Sequence, residues 1–238
     1  MIFRTSKPFV LFLFILISNL APAQPDLISY IQEKHGSDQG LINGILFFNR
    51  YYYVFNHPYH NTEDFLPGSV ILSGNSYDEL QINYNIYSQY LVLEFQGVKG
   101  GFYKIILSPE HTDAFHLDGD YFEKLSLDDE GPLFYQVIRV NALSCYIHWE
   151  KKMIPRSNDL LYHHTFTDPK RTYFLNYSGE LNPFSNKRTF ASNCSGVPKK
   201  KITKYMRKNG IRFSEASTEQ IEGLLMFVYS NLQSTSGN

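Results

Sequence analysis

The sequence predicts a mainly β protein of the α+β class. An antiparallel meander would form a curved sheet, a sandwich or a barrel-like body, and two helices would follow it. Apolar and polar side chains alternate between residues 80 and 86, as in a strand with one face toward a core and one toward water. Similar short segments recur up to residue 177 with turn residues between them. No amphipathic helix separates them, although a parallel sheet would need such crossovers.

The first 23 residues have the pattern of a secretory signal peptide. Arg4 and Lys7 precede an unbroken apolar run over residues 9–17, and Ala21-Pro22-Ala23 offers small residues at a cleavage site before Gln24. The run is shorter than the roughly 20 residues that a membrane-spanning helix needs. We therefore expect an exported protein, periplasmic or extracellular, with no transmembrane span.

Residues 24–196 are predicted to form the antiparallel β domain. A short helix is expected over residues 26–35, and a polar loop with two prolines over 57–67. Asp118-Gly119 is a strong hairpin signal within the second half of the domain. Strands are expected over residues 44–48 and 51–55, in the meander 68–107, and over 112–117, 120–127, 133–140, 144–151, 161–167 and 172–177.

Residues 197–233 are predicted to form a helical hairpin that packs on the β domain, after a loop over residues 182–196 rich in Asn, Ser and Pro. Pro198 suits the start of the first helix, and Asn209-Gly210 suits its end. A capping box over residues 217–220 starts the second helix. The apolar stripe expected to pack on the sheet or on the first helix consists of Ile221, Leu224, Leu225, Val228 and Leu232.

Composition limits the classes of partner. A formal net charge of −1 does not indicate a nucleic-acid-binding protein. The chain has 18 Tyr and 19 Phe, which fits aromatic packing on pleated sheets. The alternative is an aromatic platform that binds carbohydrate.

Two cysteines, Cys145 and Cys194, would reach an oxidising compartment together. A disulfide between them would close a loop of roughly 50 residues and contribute about 4 kcal/mol on the loop-entropy account. The alternative is a buried strand cysteine at 145 and a free loop thiol at 194.

Three short motifs carry a resemblance to a known family. They are Gly68-Ser69-Val70, then Tyr84-Asn85-Ile86-Tyr87 followed by Leu91-Val92, and the tail from Lys199-Lys200-Lys201-Ile202 to Lys208-Asn209. Together they resemble a family of uncharacterised exported proteins common in Bacteroidetes, over most of residues 24–238. The resemblance implies export and a Lys-rich helix followed by a helix of Leu and aromatic residues, and it brings no activity. Such proteins tend to carry Tyr-Asp where this chain has Tyr84-Asn85.

Two sets of residues are candidates for chemical sites. His163-His164 would suit zinc only at a bend, because adjacent strand residues point to opposite faces. Asp118 and Asp120 suit turn chemistry better than a calcium loop or a carboxylate pair. The same block also holds Asp113, Glu123, Asp128, Asp129 and Glu130. We predict no metal site and no cofactor.

The first expectation for function is a non-enzymatic binding or structural component of the cell envelope. A basic strip is explained most simply as the wet face of an amphipathic helix, and the sharper hypothesis is that it contacts an anionic envelope surface or another envelope protein. The strip consists of Lys199, Lys200, Lys201, Lys204, Arg207 and Lys208, continued by Arg212. The alternative is a secreted or periplasmic hydrolase acting on glycans or peptides through Asp118 and Asp120, or through His163 and His164.

Overall fold

The computed structural model of the protein describes residues 44–96, 100–127, 131–157, 159–177 and 179–236. The predicted signal peptide, the predicted helix 26–35 and the acidic residues 128–130 lie outside the described residues.

The described residues form fourteen strands and three helices, which confirms the predicted mainly β fold with a helical C-terminal part. The strands are β1 (Ile45–Leu46), β2 (Val54–Phe55), β3 (Leu66–Leu72), β4 (Asn75–Asn85), β5 (Tyr90–Gln96), β6 (Phe102–Ile106), β7 (Thr112–Leu117), β8 (Asp120–Leu125), β9 (Leu133–Val140), β10 (Leu143–Glu150), β11 (Met153–Pro155), β12 (His164–Phe166), β13 (Lys170–Tyr177) and β14 (Glu180–Phe184). The helices are α1 (Lys187–Asn193), α2 (Lys199–Lys208) and α3 (Thr218–Ser236).

Eleven of the described strands form one antiparallel sheet in the order β1-β6-β5-β4-β3-β7-β8-β9-β10-β13-β14. Most neighbours in this sheet are also neighbours in the chain, as a meander requires. Among the described residues the order ends at β1 on one side and at β14 on the other, so the sheet is open. A separate small sheet joins β11, β12 and β2, and its β12–β2 pair is parallel, which the sequence did not predict.

The large sheet curls around its own core. Tyr84 on β4 packs its ring 5.9 Å from the ring of Phe134 on β9, although three strands separate β4 from β9 in the sheet. Gln89, in the turn after β4, donates a hydrogen bond of 3.0 Å to the carbonyl of Trp149 on β10. These contacts fill the concave face, where Tyr84, Phe115, Phe122 and Phe134 are all buried.

The predicted alternation on β4 is correct on one face and wrong on the other. Leu80, Ile82 and Tyr84 are buried as expected, but Asn83 and Asn85 are buried as well. The Asn83 amide donates two hydrogen bonds of 2.9 Å to the carbonyls of Thr62 and Asp64. The outer face of β4 is therefore covered by the segment that precedes β3.

The helices pack against the part of the sheet formed by β9, β10, β13 and β14, and their buried residues belong to the same core as Tyr84 and Phe134. The predicted apolar stripe of α3 is confirmed, since Ile221, Leu224, Leu225 and Val228 are buried and α3 contacts β9, β10 and α2. The predicted loop over residues 182–196 is wrong, because it contains most of β14 and all of α1. In the part of the chain that the structure describes, no helix has the length and apolar character needed to cross a membrane.

Candidate functional site

Helix α1 begins at a reciprocal cap. The Asn186 side chain accepts hydrogen bonds of 3.0 Å from the backbone nitrogens of Arg188 and Thr189, and the Thr189 hydroxyl accepts one of 3.1 Å from the Asn186 nitrogen. This arrangement satisfies helix N–H groups that would otherwise lack partners. Phe190 and Ala191 then face the core, and Lys187 and Arg188 remain on the surface side.

Helix α2 is amphipathic, and its polar side carries six basic residues and no acidic one. Ile202 and Met206 are buried, and Tyr205 stacks on Phe227 of α3 with the ring centroids 4.2 Å apart. The Tyr205 hydroxyl also donates to the Gly223 carbonyl at 3.2 Å, which fixes α2 against α3. The six basic residues of the predicted strip that lie on α2 are all exposed, as expected for its wet face.

The two helices enclose a basic cleft of about 300 Å³. Its lining consists of Lys187, Arg188, Ala191, Lys199, Thr203 and Arg207. Lys199 donates a hydrogen bond of 3.1 Å to the Ser192 hydroxyl. No salt bridge joins any of the four cations to a carboxylate of the described residues. Four positive side chains therefore converge on one space to which the described part of the chain supplies no carboxylate partner.

The structure divides the predicted basic strip into two groups. Lys199 and Arg207 line the cleft, one turn before and one turn after Thr203. Lys200, Lys201, Lys204 and Lys208 are exposed outside it. Lys187 and Arg188, which complete the cleft, were missed because their segment was predicted to be a loop.

Charge is strongly segregated along the chain at this site. Residues 187–212 contain nine of the 22 Lys and Arg, and none of the 23 Asp and Glu. Like charges held this close repel one another, and the repulsion falls when an anion binds among them. Burial of the apolar faces of α1 and α2 in the core offsets this charge repulsion. The arrangement is suited to binding polyanions or surfaces that carry anionic groups.

The predicted hydrolase residues are placed apart from this cleft. Asp118 is exposed in a left-handed conformation, with φ of 52°, at the tip of the β7–β8 hairpin, followed by Gly119 with φ of 84°. Asp120 is half-buried and accepts a hydrogen bond of 2.7 Å from the Thr218 hydroxyl. Burial raises the pKa of the Asp120 carboxyl, and the hydrogen bonds from Thr218 and Gln136 oppose that rise. Asp118 thus lies in a turn, and the carboxylate of Asp120 contacts helix α3.

The predicted histidine pair lies on the small sheet. His163 and His164 are both exposed, and His164 pairs with Pro155 and Val54 through the backbone of β12. The described residues contain no group of three or more His, Cys, Asp or Glu side chains placed to hold a metal ion.

Of the two alternatives for the cysteines, the structure has no disulfide, and Cys145 and Cys194 are both buried free thiols. Cys145 lies on β10, and burial raises its pKa far above the ordinary value. Cys194 follows α1 and donates a hydrogen bond of 3.4 Å to the Phe190 carbonyl, and burial raises its pKa to about 12. Neither thiol is ionised near neutral pH, so neither is a ready nucleophile.

The chain matches no protein-family model, and no curated protein or solved structure matches it. Function must therefore be argued from the geometry of the molecule itself.

Proposed function

We propose that this protein is an exported, non-enzymatic binding protein that contacts an anionic surface of the cell envelope through α1 and α2. Export is supported by the pattern of the first 23 residues and by the family resemblance. The observation that carries the binding proposal is the cleft itself, where four cations from two helices lack a carboxylate partner among the described residues.

The outer lysines add to the same face. Lys200, Lys201, Lys204 and Lys208 are exposed on α2, so a flat anionic surface can meet several of them together. A basic side chain near an anionic membrane contributes about 1 kcal/mol, and the attraction falls off within a Debye length. Three lysines together are therefore worth about 3 kcal/mol, on the order of 100-fold in affinity.

The test is cosedimentation of residues 24–238 with vesicles of phosphatidylglycerol and phosphatidylcholine at low salt. We expect retention that high salt abolishes and that vesicles of phosphatidylcholine alone do not give. Replacement of Lys199, Lys200 and Lys201 by Gln should lower retention on the order of 100-fold. The matched control replaces Lys124, Lys152 and Lys170, which lie outside 187–212, by Gln and changes the net charge equally.

The two triple variants separate a localised site from general charge. Equal losses of vesicle retention in both triple variants would show that net charge alone accounts for the binding. No retention of the wild-type protein at low salt would overturn the proposal.

A further inference from the structure

A second cleft lies beside the small sheet, and it is aromatic rather than basic. Its volume is about 350 Å³. Its lining consists of Asn49, Tyr51, Tyr52, Val54, Phe55, Asn56, His57, Pro58, Tyr59, Glu63 and Tyr162. Five of these residues carry phenyl or phenol rings, and no Lys or Arg is among them.

Large apolar side chains are unusually exposed around this aromatic cleft. Tyr52 is 73% exposed and Phe55 is 46% exposed. Other exposed apolar residues on the segments that form the small sheet are Phe48, Tyr53, Met153, Ile154, Leu160 and Leu161. A soluble protein rarely exposes such a concentration of rings without a binding role.

The cleft is held in place by contacts with the large sheet. Pro58 accepts a hydrogen bond of 3.0 Å from the Ile86 nitrogen, and the His60 nitrogen donates one of 2.9 Å to the Tyr84 carbonyl. The buried Lys151 amine donates one of 2.8 Å to the His57 carbonyl. The backbone that carries the cleft is thereby tied to β4 and to the end of β10.

The rings are fixed by edge-to-face packing. Tyr51 packs on Tyr87 and on Phe166, with centroid separations of 5.9 Å and 5.2 Å. Phe55 packs on Tyr162 at 5.7 Å. Because these rings are already ordered, a ligand that stacks on them loses little additional side-chain entropy in the protein.

Two asparagines at the cleft retain hydrogen-bond donors that a ligand could use. The side-chain oxygens of Asn49 and Asn56 each accept a backbone hydrogen bond of 2.9 Å, from Tyr51 and His57 respectively. Their amide N–H groups have no hydrogen-bond partner among the described residues. Asn56 also adopts a left-handed φ of 66°, which a binding loop can tolerate when its surroundings impose it.

The charge of the cleft excludes several ligand classes. Glu63 is its single carboxylate and disfavours anions, while the Lys151 amine behind His57 and the Arg156 guanidinium, 3.9 Å from the centre of the Phe55 ring, disfavour cations. Burial, together with the positive charge of Lys151, also lowers the pKa of His57, so its imidazole is neutral near pH 7. The ligand that fits is uncharged, with apolar faces for the rings and hydroxyl groups for the amides, the carboxylate and the imidazole.

We propose that this aromatic cleft binds a neutral oligosaccharide. A pyranose ring presents C–H groups on its faces and hydroxyl groups around its edge, which matches stacked rings bordered by amides and a carboxylate. The site is independent of the proposed contact with an anionic surface, since it shares no residue with the basic cleft.

The test is affinity electrophoresis in native gels that contain neutral soluble polysaccharides: dextran, laminarin, arabinoxylan or galactomannan. We expect at least one of them to retard the protein. Tyr52→Ala should weaken that binding about tenfold, as truncation of an exposed aromatic anchor does. The matched control is Tyr53→Ala, because Tyr53 is 69% exposed and next in the chain but does not line the cleft.

A variant with Arg188→Gln and Arg207→Gln should be retarded as the wild type is, which separates this site from the basic cleft. Unfolding temperatures of all variants confirm that they fold. The proposal is overturned if none of the four polysaccharides retards the protein, or if Tyr52→Ala and Tyr53→Ala have equal effects.

Discussion

Thr218, the first residue of α3, donates its hydroxyl proton to Oδ1 of Asp120 at 2.7 Å and so joins the helix to β8. The same oxygen of Thr218 accepts a hydrogen bond of 2.8 Å from the Gln136 amide, whose carbonyl oxygen accepts one of 2.9 Å from the Trp149 indole. Four side chains from β8, β9, β10 and α3 thereby form one polar chain across the interior. Each member satisfies a group that would be costly to bury alone.

Thr218→Val should destabilise the protein although it preserves the shape of the side chain. It removes one of the two side-chain hydrogen bonds to Asp120 and the hydrogen bond from the Gln136 amide to the Thr218 hydroxyl, at a cost of about 1–3 kcal/mol. Urea unfolding measures this loss. The control is Thr203→Val, because the Thr203 hydroxyl bonds only to carbonyls of its own helix. Equal losses in both variants would contradict the role of the polar chain.

Gly68→Ala should weaken the centre of the large sheet. A Cβ atom there would lie 2.3 Å from the His116 carbonyl oxygen and 2.7 Å from Cδ1 of Ile82, so β3 and β7 would have to separate. We expect a loss of about 1–3 kcal/mol in the free energy of unfolding, as for other overpacked sites. Gly101→Ala is the control, since its nearest neighbour would be the Tyr103 ring at 3.5 Å. An unchanged urea midpoint for Gly68→Ala would refute this account.

His60 should make the protein sensitive to acid. Burial against Trp149 and Phe122, together with the positive charges of Arg171 and Lys151, lowers the pKa of its imidazole to about 3. In the unfolded chain the imidazole takes up a proton near pH 6.5, whereas the folded protein does not. Stability is therefore lost as pH falls from about 6.5 toward 3, by at most about 1.4 kcal/mol per pH unit.

His60→Phe should flatten this loss and keep the aromatic packing. Its stability at pH 7 should change little, because His60 Nε2 is buried without a hydrogen-bond partner among the described residues. Urea unfolding at several pH values between about 7 and 5 provides the measurement. His116→Phe, at an exposed position on β7, should leave the pH dependence as it is in the wild type. The same slope in His60→Phe as in the wild type would rule out His60 as its source.

Both cysteines should be recovered as thiols. Cys145 and Cys194 are buried and protonated, so a thiol reagent should modify neither of them in the folded protein and both after unfolding. Mass spectrometry of protein alkylated in denaturant without reductant should show two added groups. If no group is added until a reductant is present, the cysteines form the disulfide that the sequence analysis considered.

The sequence was sufficient to predict elements whose pattern is local. The predicted ranges 112–117 and 133–140 coincide with β7 and β9, because their apolar residues and turn signals depend on near neighbours alone. Helix α1 was missed because its seven residues bury only Phe190 and Ala191, which is too few for a helical period. The spacing of Asn186 and Thr189 was the signal that would have found it.

The candidate sites show the same difference between features set by local sequence and features set by three-dimensional packing. The exposed lysines of α2 were predicted from charge alone, but the cleft exists only because α1 packs beside α2 in three dimensions. The aromatic cleft combines residues 49–63 with Tyr162, and no sequence spacing connects the two. Asn83 was expected in water, and only the packing of the preceding segment shows why it is buried.

The order of strands has a consequence for the folding pathway. Strands β3 to β6 pair with their neighbours in the chain as successive hairpins, and so do strands β7 to β10. The β3–β7 pair is the single described ladder between these two groups. Closing that ladder brings together residues 40 to 49 positions apart, so it carries a larger loop-closure entropy than any hairpin. We expect the seam at Gly68 and Leu117 to form late and to govern the rate at which this chain reaches its native state.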